Sequence, residues 1–224
     1  SLIKKLRLMS SVTAITFDVG GTLIEPWPSV GHAYAEVASR HGIGIPAEQI
    51  TQRFIEAWRQ RGDFDYTKAG WAALVDKTFA GLIDELPSHS FFDEIYREFG
   101  MPKPWRIFDD VRPTLNVLRK RGTRMAVISN WDNRLVPLLE SLELAHEFEA
   151  ILVSAEVGHT KPAPEIFRAA AETMQLSPDQ ILHVGDSENE DHHGAQAAGF
   201  QSRWLCRSSA KPIASSIPSL KELL

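Results

Sequence analysis

Four short polar segments each follow a run of apolar residues, and they contain the side chains best suited to chemistry. Together they offer carboxylates, hydroxyls and a lysine. A carboxylate can act as a nucleophile that forms a covalent intermediate, and oxygen atoms are the ligands that Mg²⁺ prefers. Each segment alone would fit an ordinary loop, but their combination and order favour one site. The segments are Phe17–Leu23 (FDVGGTL), Ile128–Asn130 (ISN), Gly158–Phe167 (GHTKPAPEIF) and His183–Phe200 (HVGDSENEDHHGAQAAGF).

A predicted sheet of buried strands places these segments. Continuously apolar runs of this length are typical of parallel strands that are covered on both faces. In such sheets, ligands bind at the carboxyl ends of the strands, which is where the polar segments stand. The predicted strands are Val12–Phe17, Met125–Ser129, Ala150–Val153, Ile181–Val184 and Ser202–Leu205.

Helical patterns lie between the later strands. Gly122 ends the first of them, and a proline begins the third, as is common at the first turn of a helix. Alternation of strands and helices indicates right-handed βαβ units and an α/β fold with a doubly wound parallel sheet. The predicted helices are Val111–Arg121, Asp132–Leu142, Pro164–Met174 and Asp191–Ala198.

Residues 26–105 have a different character, with helical patterns and no convincing strand. Prolines at both ends of this stretch favour extended or turn backbone and make plausible hinges. We therefore expect an all-helical domain at 26–105, inserted into a core that is formed by residues 1–25 and 106–224. The predicted helices lie near Val30–His41, Ala47–Gln60, Lys68–Leu82 and Ser88–Phe99.

Composition argues against several classes of function. The formal net charge is −5 and no basic stripe stands out, so nucleic-acid binding has no electrostatic support. No run reaches the roughly 18 uninterrupted apolar residues of a membrane span. The single cysteine, Cys206, excludes an internal disulfide and fits a cytoplasmic location. We expect a monomer or homodimer with no nucleic-acid or membrane partner.

The N-terminal segment shares one feature with a secretion signal. Lys4, Lys5 and Arg7 precede an apolar run, but serines and a threonine interrupt that run before Asp18. No small-residue cleavage site stands out. We therefore expect that the segment is not a cleaved signal peptide.

In order and residue type, the four segments resemble the motifs of the haloacid dehalogenase superfamily, and the resemblance spans nearly the whole chain. The helical insertion resembles the cap of the subclass that includes haloacid dehalogenases, phosphonatase and β-phosphoglucomutase. The SNWDNRL and GDSENED stretches are similar to the branch of the haloacid dehalogenase-like hydrolase domain-containing 3 proteins. The resemblance implies a Rossmann-like core with a helical cap.

The resemblance also implies roles for the catalytic and metal-binding groups. Asp18 would be the nucleophile, and Lys161 would neutralise both this carboxylate and the phosphate oxygens. Asp18 and Asp186 would bind Mg²⁺ together with the backbone carbonyl of Gly20. Asp191 would hold a metal-bound water, orient Lys161, or only cap the following helix.

Further residues would surround the phosphate. Gly21 allows close approach of the backbone to the ligand, and Thr22 would stabilise the loop through side-chain hydrogen bonds. Ser129 and Asn130 would meet the phosphate through hydroxyl and backbone donors. Trp131 follows directly and could line the pocket.

One residue departs from the family pattern. The phosphatase branch carries a second aspartate two residues after the nucleophile, which protonates the leaving group and later deprotonates the attacking water. Here that position is Gly20. Loss of general acid–base help typically costs about 10²–10⁴-fold in rate, so the resemblance implies an intact metal site and slow hydrolysis.

Three functions fit these residues. The first is Mg²⁺-dependent phosphate transfer from a small phosphorylated metabolite through an aspartyl-phosphate at Asp18. The second is a non-catalytic metabolite-binding or interaction protein on the same scaffold. The third is phosphonatase-like C–P cleavage, in which a cap lysine such as Lys68 or Lys77 forms a Schiff base. A metal-free dehalogenase is disfavoured, because Asp186 and Asp18 would repel each other without a cation.

Overall fold

The computed structural model of the protein describes residues 12–207 and 216–224. Residues 1–11 lie outside the described residues. They contain most of the N-terminal segment for which we expect no cleaved signal peptide. The described chain forms two compact units, one combining residues up to Ile24 with those from Ile107 onward, the other spanning Glu25–Arg106. We call these the sheet unit and the helical unit. No described helix is long and apolar enough to cross a membrane.

The sheet unit is built around parallel strands. Six strands pair in the order β5-β4-β1-β6-β7-β8, and every pair is parallel. Phe17 at the end of β1 is in register with Val127 of β4 and Val184 of β6, so the carboxyl ends of these three strands lie side by side. The strands are β1 Ala14–Phe17, β2 Ile24–Pro26, β3 Trp105–Ile107, β4 Arg124–Ser129, β5 Ala150–Val153, β6 Ile181–Gly185, β7 Gln201–Leu205 and β8 Ser216–Ile217.

The predicted α/β fold with a doubly wound parallel sheet is confirmed. Strand β1 begins two residues later than predicted, and β4, β5, β6 and β7 differ from the predicted bounds by at most one residue. Three short strands were not predicted. Of these, β8 joins the sheet at its edge, whereas β2 and β3 pair with each other where the chain passes between the two units.

Helices flank the sheet and build the helical unit. The α-helices are α1 Val30–Arg40, α2 Ala47–Arg59, α3 Lys68–Phe79, α4 Phe92–Glu98, α5 Val111–Lys120, α6 Leu135–Ser141, α7 Ser154–Val157, α8 Pro164–Met174 and α9 Gly194–Ala197. A π-helix spans Glu188–His193. Short 3₁₀ turns lie at Pro87–His89, Ala145–Glu147, Pro178–Gln180 and Leu220–Leu223.

Two predicted helices of the sheet unit need correction. Helix α6 begins at Leu135 rather than at Asp132, because the Asp132 carboxylate accepts the N–H of Arg134 at 3.0 Å and holds the preceding chain in a turn. The segment predicted as one helix at Asp191–Ala198 is instead the end of the π-helix followed by α9.

Helix α8 covers the sheet beside the site. Its buried face carries Ile166, Phe167 and Met174, all fully enclosed. Burying side chains of this size contributes about 1.5–3 kcal/mol each. The Phe167 ring packs edge-on against the imidazole of His183 on β6, with centroids 5.2 Å apart. This face of the sheet is therefore tightly packed directly under the strand ends.

The helical unit has its own aromatic core. Tyr34 stacks on Phe79 with centroids 6.1 Å apart, and Phe79 meets Phe91 edge-on at 5.5 Å. Helices α1, α2 and α3 match the predicted positions but end one to three residues earlier. The fourth predicted helix is divided into a 3₁₀ turn and α4, because Ser90 has non-helical backbone angles.

Candidate active site

A buried lysine joins two carboxylates at the carboxyl ends of β1 and β6. The Nζ of Lys161 donates to Asp18 Oδ1 at 2.8 Å and to Asp191 Oδ1 at 2.5 Å. Lys161 is 3% exposed and Asp18 is 7% exposed. Buried charges require such partners. The structure thus brings the predicted nucleophile and the predicted lysine into direct contact.

Asn130 fixes the loop that carries this lysine. Its Oδ1 accepts from the backbone N–H of Lys161 at 2.6 Å, and its Nδ2 donates to the Lys161 carbonyl at 3.0 Å. The same Nδ2 donates to Glu190 Oε2 at 3.2 Å. The side chain of Asn130 therefore positions Lys161, and a phosphate contact of the Asn130 backbone N–H stays a prediction.

Two hydroxyls also face the Asp18 carboxylate. Ser129 Oγ donates to Oδ1 and Thr22 Oγ1 donates to Oδ2, each at 3.3 Å. Both hydroxyls are buried. These distances are long for an O–H···O bond, so either hydroxyl can turn to another acceptor without losing a strong contact.

Asp186 provides a third carboxylate and packs on Gly21. A Cβ atom on Gly21 would lie 2.2 Å from Asp186 Oδ2, and the φ of Gly21 is +78°, so only glycine fits this turn. Carboxylate oxygens of Asp18, Asp186 and Asp191 lie within 4.8 Å of one another. The indole N–H of Trp204 donates to the Asp186 carbonyl at 2.9 Å and holds this loop.

This crowding of carboxylates changes their acidity. Loss of hydration and the charges of Asp18 and Asp191 raise the pKa of Asp186 well above its usual value, even though part of its side chain is exposed. Burial likewise raises the pKa of Asp18, against the opposing charge of Lys161. Three carboxylates share one ammonium, so the described residues fit a hard divalent cation that would supply the missing positive charge.

The π-helix after β6 directs Asp191 into the site. The N–H of Ser187 donates to Asp191 Oδ2 at 3.0 Å, and Ser187 Oγ accepts from Glu190 N–H at 3.1 Å. A Cβ atom on Gly185 would lie 2.2 Å from Asp191 Cγ, so the carboxylate rests against bare backbone. Single π-helical turns are frequent at functional sites.

His183 is a further site residue, and the sequence predicted no role for it. Its Nε2 lies 3.0 Å from Asp191 Oδ1 and its Nδ1 lies 2.9 Å from Thr16 Oγ1. Burial lowers the pKa of His183, which favours the neutral ring. Because an ionised carboxylate only accepts hydrogen bonds, Nε2 carries the hydrogen. The sequence offered one indication of such a role. A histidine stands inside the apolar run of β6, and a buried polar ring needs hydrogen-bond partners.

The groups around Asp191 and Lys161 favour the charged forms of both side chains. Burial acts to raise the pKa of Asp191, but Lys161 and His183 hold this pKa below its usual value. Burial acts to lower the pKa of Lys161, but Asp18 and Asp191 raise this pKa above its usual value. The lysine therefore stays protonated and Asp191 stays ionised at neutral pH.

The space beside Gly20 is bordered by an indole ring. A Cβ atom on Gly20 would lie 3.4 Å from Trp131 Cζ3, and among described atoms outside the adjacent residues no other lies within 4 Å. Trp131 thus lies against the Asp18 turn. The role of the Gly20 carbonyl in metal binding stays a prediction.

Comparison with known proteins identifies the family of this chain. A family model described as haloacid dehalogenase-like hydrolase matches residues 12–199. Haloacid dehalogenase-like hydrolase domain-containing protein 3 from Bos taurus is 35% identical over 199 residues, which cover 84% of this chain and 79% of that protein. Phosphoglycolate phosphatase from Shigella boydii is 29% identical over 210 residues, which cover 88% of this chain and 82% of that protein.

Solved structures share the fold. The HAD-hydrolase YfnB from Bacillus subtilis, described as bound to magnesium, has a TM-score of 0.76 at 21% identity, over 95% of this chain and 96% of that one. A HAD phosphatase from Thermococcus onnurineus has a TM-score of 0.68 at 23% identity, with the same coverage. On the family model and the curated relatives together, this chain belongs to the haloacid dehalogenase-like hydrolase family.

Proposed function

We propose that the protein is a magnesium-dependent phosphatase that acts on a small phosphorylated metabolite through an aspartyl-phosphate at Asp18. The contact between Lys161 Nζ and Asp18 Oδ1 at 2.8 Å carries this proposal. A buried ammonium favours the ionised form of a nucleophilic carboxylate, and it offers positive charge to the phosphate oxygens. The name of the phosphoglycolate phosphatase relative supports a small phosphorylated substrate.

The proposed reaction has two halves. In the first, an Asp18 oxygen bonds to phosphorus while the bond from phosphorus to the leaving group breaks. Lys161, the Ser129 hydroxyl and the backbone N–H of Asn130 bind the phosphate oxygens. In the second, a water molecule attacks the same phosphorus, which restores the Asp18 carboxylate and releases inorganic phosphate.

The acidic cluster would hold the metal ion. Asp18 and Asp186 are the proposed carboxylate ligands, with the Gly20 carbonyl as a third group. When bound, Mg²⁺ would neutralise charge on the transferring phosphate. Asp191 already accepts hydrogen bonds from Lys161, His183 and the Ser187 N–H, which favours a role in orienting the lysine. The magnesium named for the Bacillus subtilis structure supports this choice of ion.

We further propose that hydrolysis is slow, because Gly20 supplies neither acid nor base. A phosphonatase-like reaction is the weaker alternative. It requires a cap lysine whose amine attacks the substrate carbonyl, whereas the exposed Lys68 amine pairs with Asp93 at 2.7 Å.

An assay of phosphate monoesters with Mg²⁺ tests the proposal. We expect wild-type protein to release phosphate and Asp18→Asn to abolish this release. Asp179→Asn is the matched control, since Asp179 is an exposed carboxylate before β6, at the opposite end of that strand. Unchanged activity in Asp18→Asn would contradict the mechanism. Tight binding of a phosphorylated metabolite without turnover would favour the non-catalytic alternative.

A further inference from the structure

A series of buried hydrogen bonds runs from strand β1 to the lysine of the site. Thr16 Oγ1 lies 2.9 Å from His183 Nδ1, and His183 Nε2 lies 3.0 Å from Asp191 Oδ1. The same Asp191 oxygen accepts from Lys161 Nζ at 2.5 Å. Because Thr16 and His183 are fully enclosed, either residue can influence the reaction only through the side chains that it contacts.

The register of the sheet brings the first two of these side chains together. Thr16 of β1 and His183 of β6 are paired residues on neighbouring parallel strands, so their side chains leave the sheet on the same face. Gly185 lies two residues further along that face, and a Cβ atom there would be 2.2 Å from Asp191 Cγ. This face of the sheet therefore has room for one imidazole and one carboxylate.

A neutral His183 ring has one arrangement of hydrogens that satisfies both of its contacts. Burial lowers the pKa of His183 and favours this neutral form. The ionised Asp191 only accepts hydrogen bonds, so the ring hydrogen lies on Nε2. Nδ1 then accepts, and the Thr16 hydroxyl is its donor. The Thr16 hydroxyl therefore favours the tautomer that donates to Asp191.

Two donors hold the two oxygens of Asp191. The Ser187 N–H donates to Oδ2 at 3.0 Å, while the imidazole donates to Oδ1. Two fixed oxygens define the position and the plane of the carboxylate. The Lys161 ammonium lies between this carboxylate and Asp18 Oδ1, which it meets at 2.8 Å. Because a lysine side chain is flexible, its acceptors determine where the ammonium stands.

We infer that Thr16 and His183 are positioning residues, which hold Asp191 so that Lys161 keeps its ammonium beside Asp18 and the phosphate. The inference rests on the proposed function. Without the imidazole, Asp191 Oδ1 would keep the lysine but lose its connection to the sheet, and the ammonium could shift with the carboxylate. Small displacements of this kind lower the rate of an oriented reaction.

Substitutions of His183 test the inference with p-nitrophenyl phosphate and Mg²⁺, where kcat/KM reports the first half-reaction. His183→Phe keeps a ring but cannot donate, and it should lower kcat/KM by about 10–100-fold. His183→Gln carries an amide N–H that can replace the Nε2 donor, and it should recover most of this loss. If His183→Gln is as slow as His183→Phe, the loss comes from packing and the inference is overturned.

A double variant tests whether Thr16 acts through the ring. Thr16→Val should lower kcat/KM by about two- to tenfold, the value of one neutral hydrogen bond. In His183→Phe, the same substitution should cause no further loss, whereas losses that multiply would overturn the inference. Thr78→Val is the matched control and should keep wild-type kcat/KM, since Thr78 is a buried threonine of the helical unit whose hydroxyl donates to Leu74.

Long-range ¹H–¹⁵N NMR correlations of the ring nitrogens give a readout that does not depend on turnover. The His183 signals, identified by their loss in His183→Gln, should show the wild-type hydrogen on Nε2 and not on Nδ1 at neutral pH. A hydrogen on Nδ1 would overturn the inference whether or not His183→Phe folds.

The two proposals fail in different ways. If wild-type protein releases no phosphate in an Asp18-dependent manner, the proposed function fails. If wild-type protein is active and a folded His183→Phe keeps its kcat/KM, the positioning role is overturned while the proposed function stands.

Discussion

Gly20 and Gly21 are adjacent, but they restrict the site in different ways. Gly21 has a positive φ, and a Cβ atom there would meet the Asp186 carboxylate at 2.2 Å. At Gly20 a Cβ atom would make only an ordinary 3.4 Å contact with the Trp131 ring. A side chain is therefore sterically possible at Gly20, where the acid is missing, and is excluded at Gly21, where it would displace Asp186.

The substitution Gly20→Asp should restore the missing acid. We expect kcat/KM for alkyl phosphates, which reports the first half-reaction, to rise by about 10²-fold or more. The kcat/KM for p-nitrophenyl phosphate should rise far less, because nitrophenolate leaves without protonation. Steady-state kinetics on both substrates measures the difference. Gly21→Ala is the control at the neighbouring position and should lower both rates. An equal gain on both substrates in Gly20→Asp would count against the missing-acid explanation.

At the residue scale, the residue types that meet at the site could be predicted, but the hydrogen bonds between them could not. The types and order of Asp18, Lys161 and Asp186 placed carboxylates and a lysine at strand ends. The bond between Thr16 and His183 joins residues 167 positions apart, and a pattern of local spacing contains no such information. The same holds for the contact of Asn130 with the backbone of Lys161.

At the scale of elements, the length of a helix or strand determined whether its bounds could be predicted from the sequence. Helix α8 and strand β5 have the predicted bounds, because each shows a full apolar pattern. Strand β8 has two residues, and β2 and β3 have three each, too few for a period to be visible. The π-helix was missed because the contacts that favour it, from Asp191 to Lys161 and His183, are tertiary.

The start of α5 is joined to the C-terminal segment by one carboxylate. Asp110 Oδ2 accepts from Arg207 Nη1 at 2.9 Å, from Ser219 Oγ at 2.7 Å and from the Leu220 N–H at 2.8 Å. Burial acts to raise the pKa of Asp110, but these donors hold this pKa below its usual value. The same Arg207 donates to the carbonyl of Thr22 at 2.7 Å, so this contact reaches the Asp18 loop.

Asp110→Asn should destabilise the protein by about 1–3 kcal/mol at neutral pH, because it weakens three hydrogen bonds to a charged group. A lowered pKa in the folded state stabilises above the unfolded pKa, near 3.9, and this stabilisation is lost as pH falls through the folded pKa. The difference in unfolding free energy should therefore be full above about pH 5 and shrink in acid. Denaturant unfolding at several pH values measures it.

Asp109→Asn is the matched control for this prediction, since Asp109 is the exposed neighbour of Asp110. It should leave the unfolding free energy nearly unchanged. A difference between wild type and Asp110→Asn that stays constant down to acid pH would contradict an ionic role for this carboxylate.

At the scale of the whole molecule, we expect the charge of the site to couple folding to a cation. Asp18, Asp186 and Asp191 crowd around Lys161 within a chain whose formal net charge is −5. Like charges held together in the folded state reduce its stability, and a bound cation reverses this effect. Stability should therefore depend on Mg²⁺ even in the absence of substrate.

Mg²⁺ should raise the thermal unfolding midpoint of wild-type protein, by the equivalent of about 2.7 kcal/mol at a hundredfold excess over Kd. Asp186→Asn should raise the midpoint of the metal-free protein, because it removes one repelling charge, and should abolish most of the Mg²⁺ response. Asp179→Asn is the control and should respond like wild type. Differential scanning calorimetry with and without Mg²⁺ measures these shifts, and an undiminished response in Asp186→Asn would argue against this ligand.

The most direct measurement concerns the covalent bond at Asp18. With p-nitrophenyl phosphate, the first half-reaction needs no acid, whereas hydrolysis of the aspartyl-phosphate lacks a base at Gly20. The intermediate should therefore accumulate. Stopped-flow mixing followed by acid quench and mass spectrometry should show a burst of about one nitrophenolate per active site and a phosphoryl group on the Asp18 peptide. Linear release of product from the first turnover, with no phosphoryl group on the protein, would contradict the mechanism.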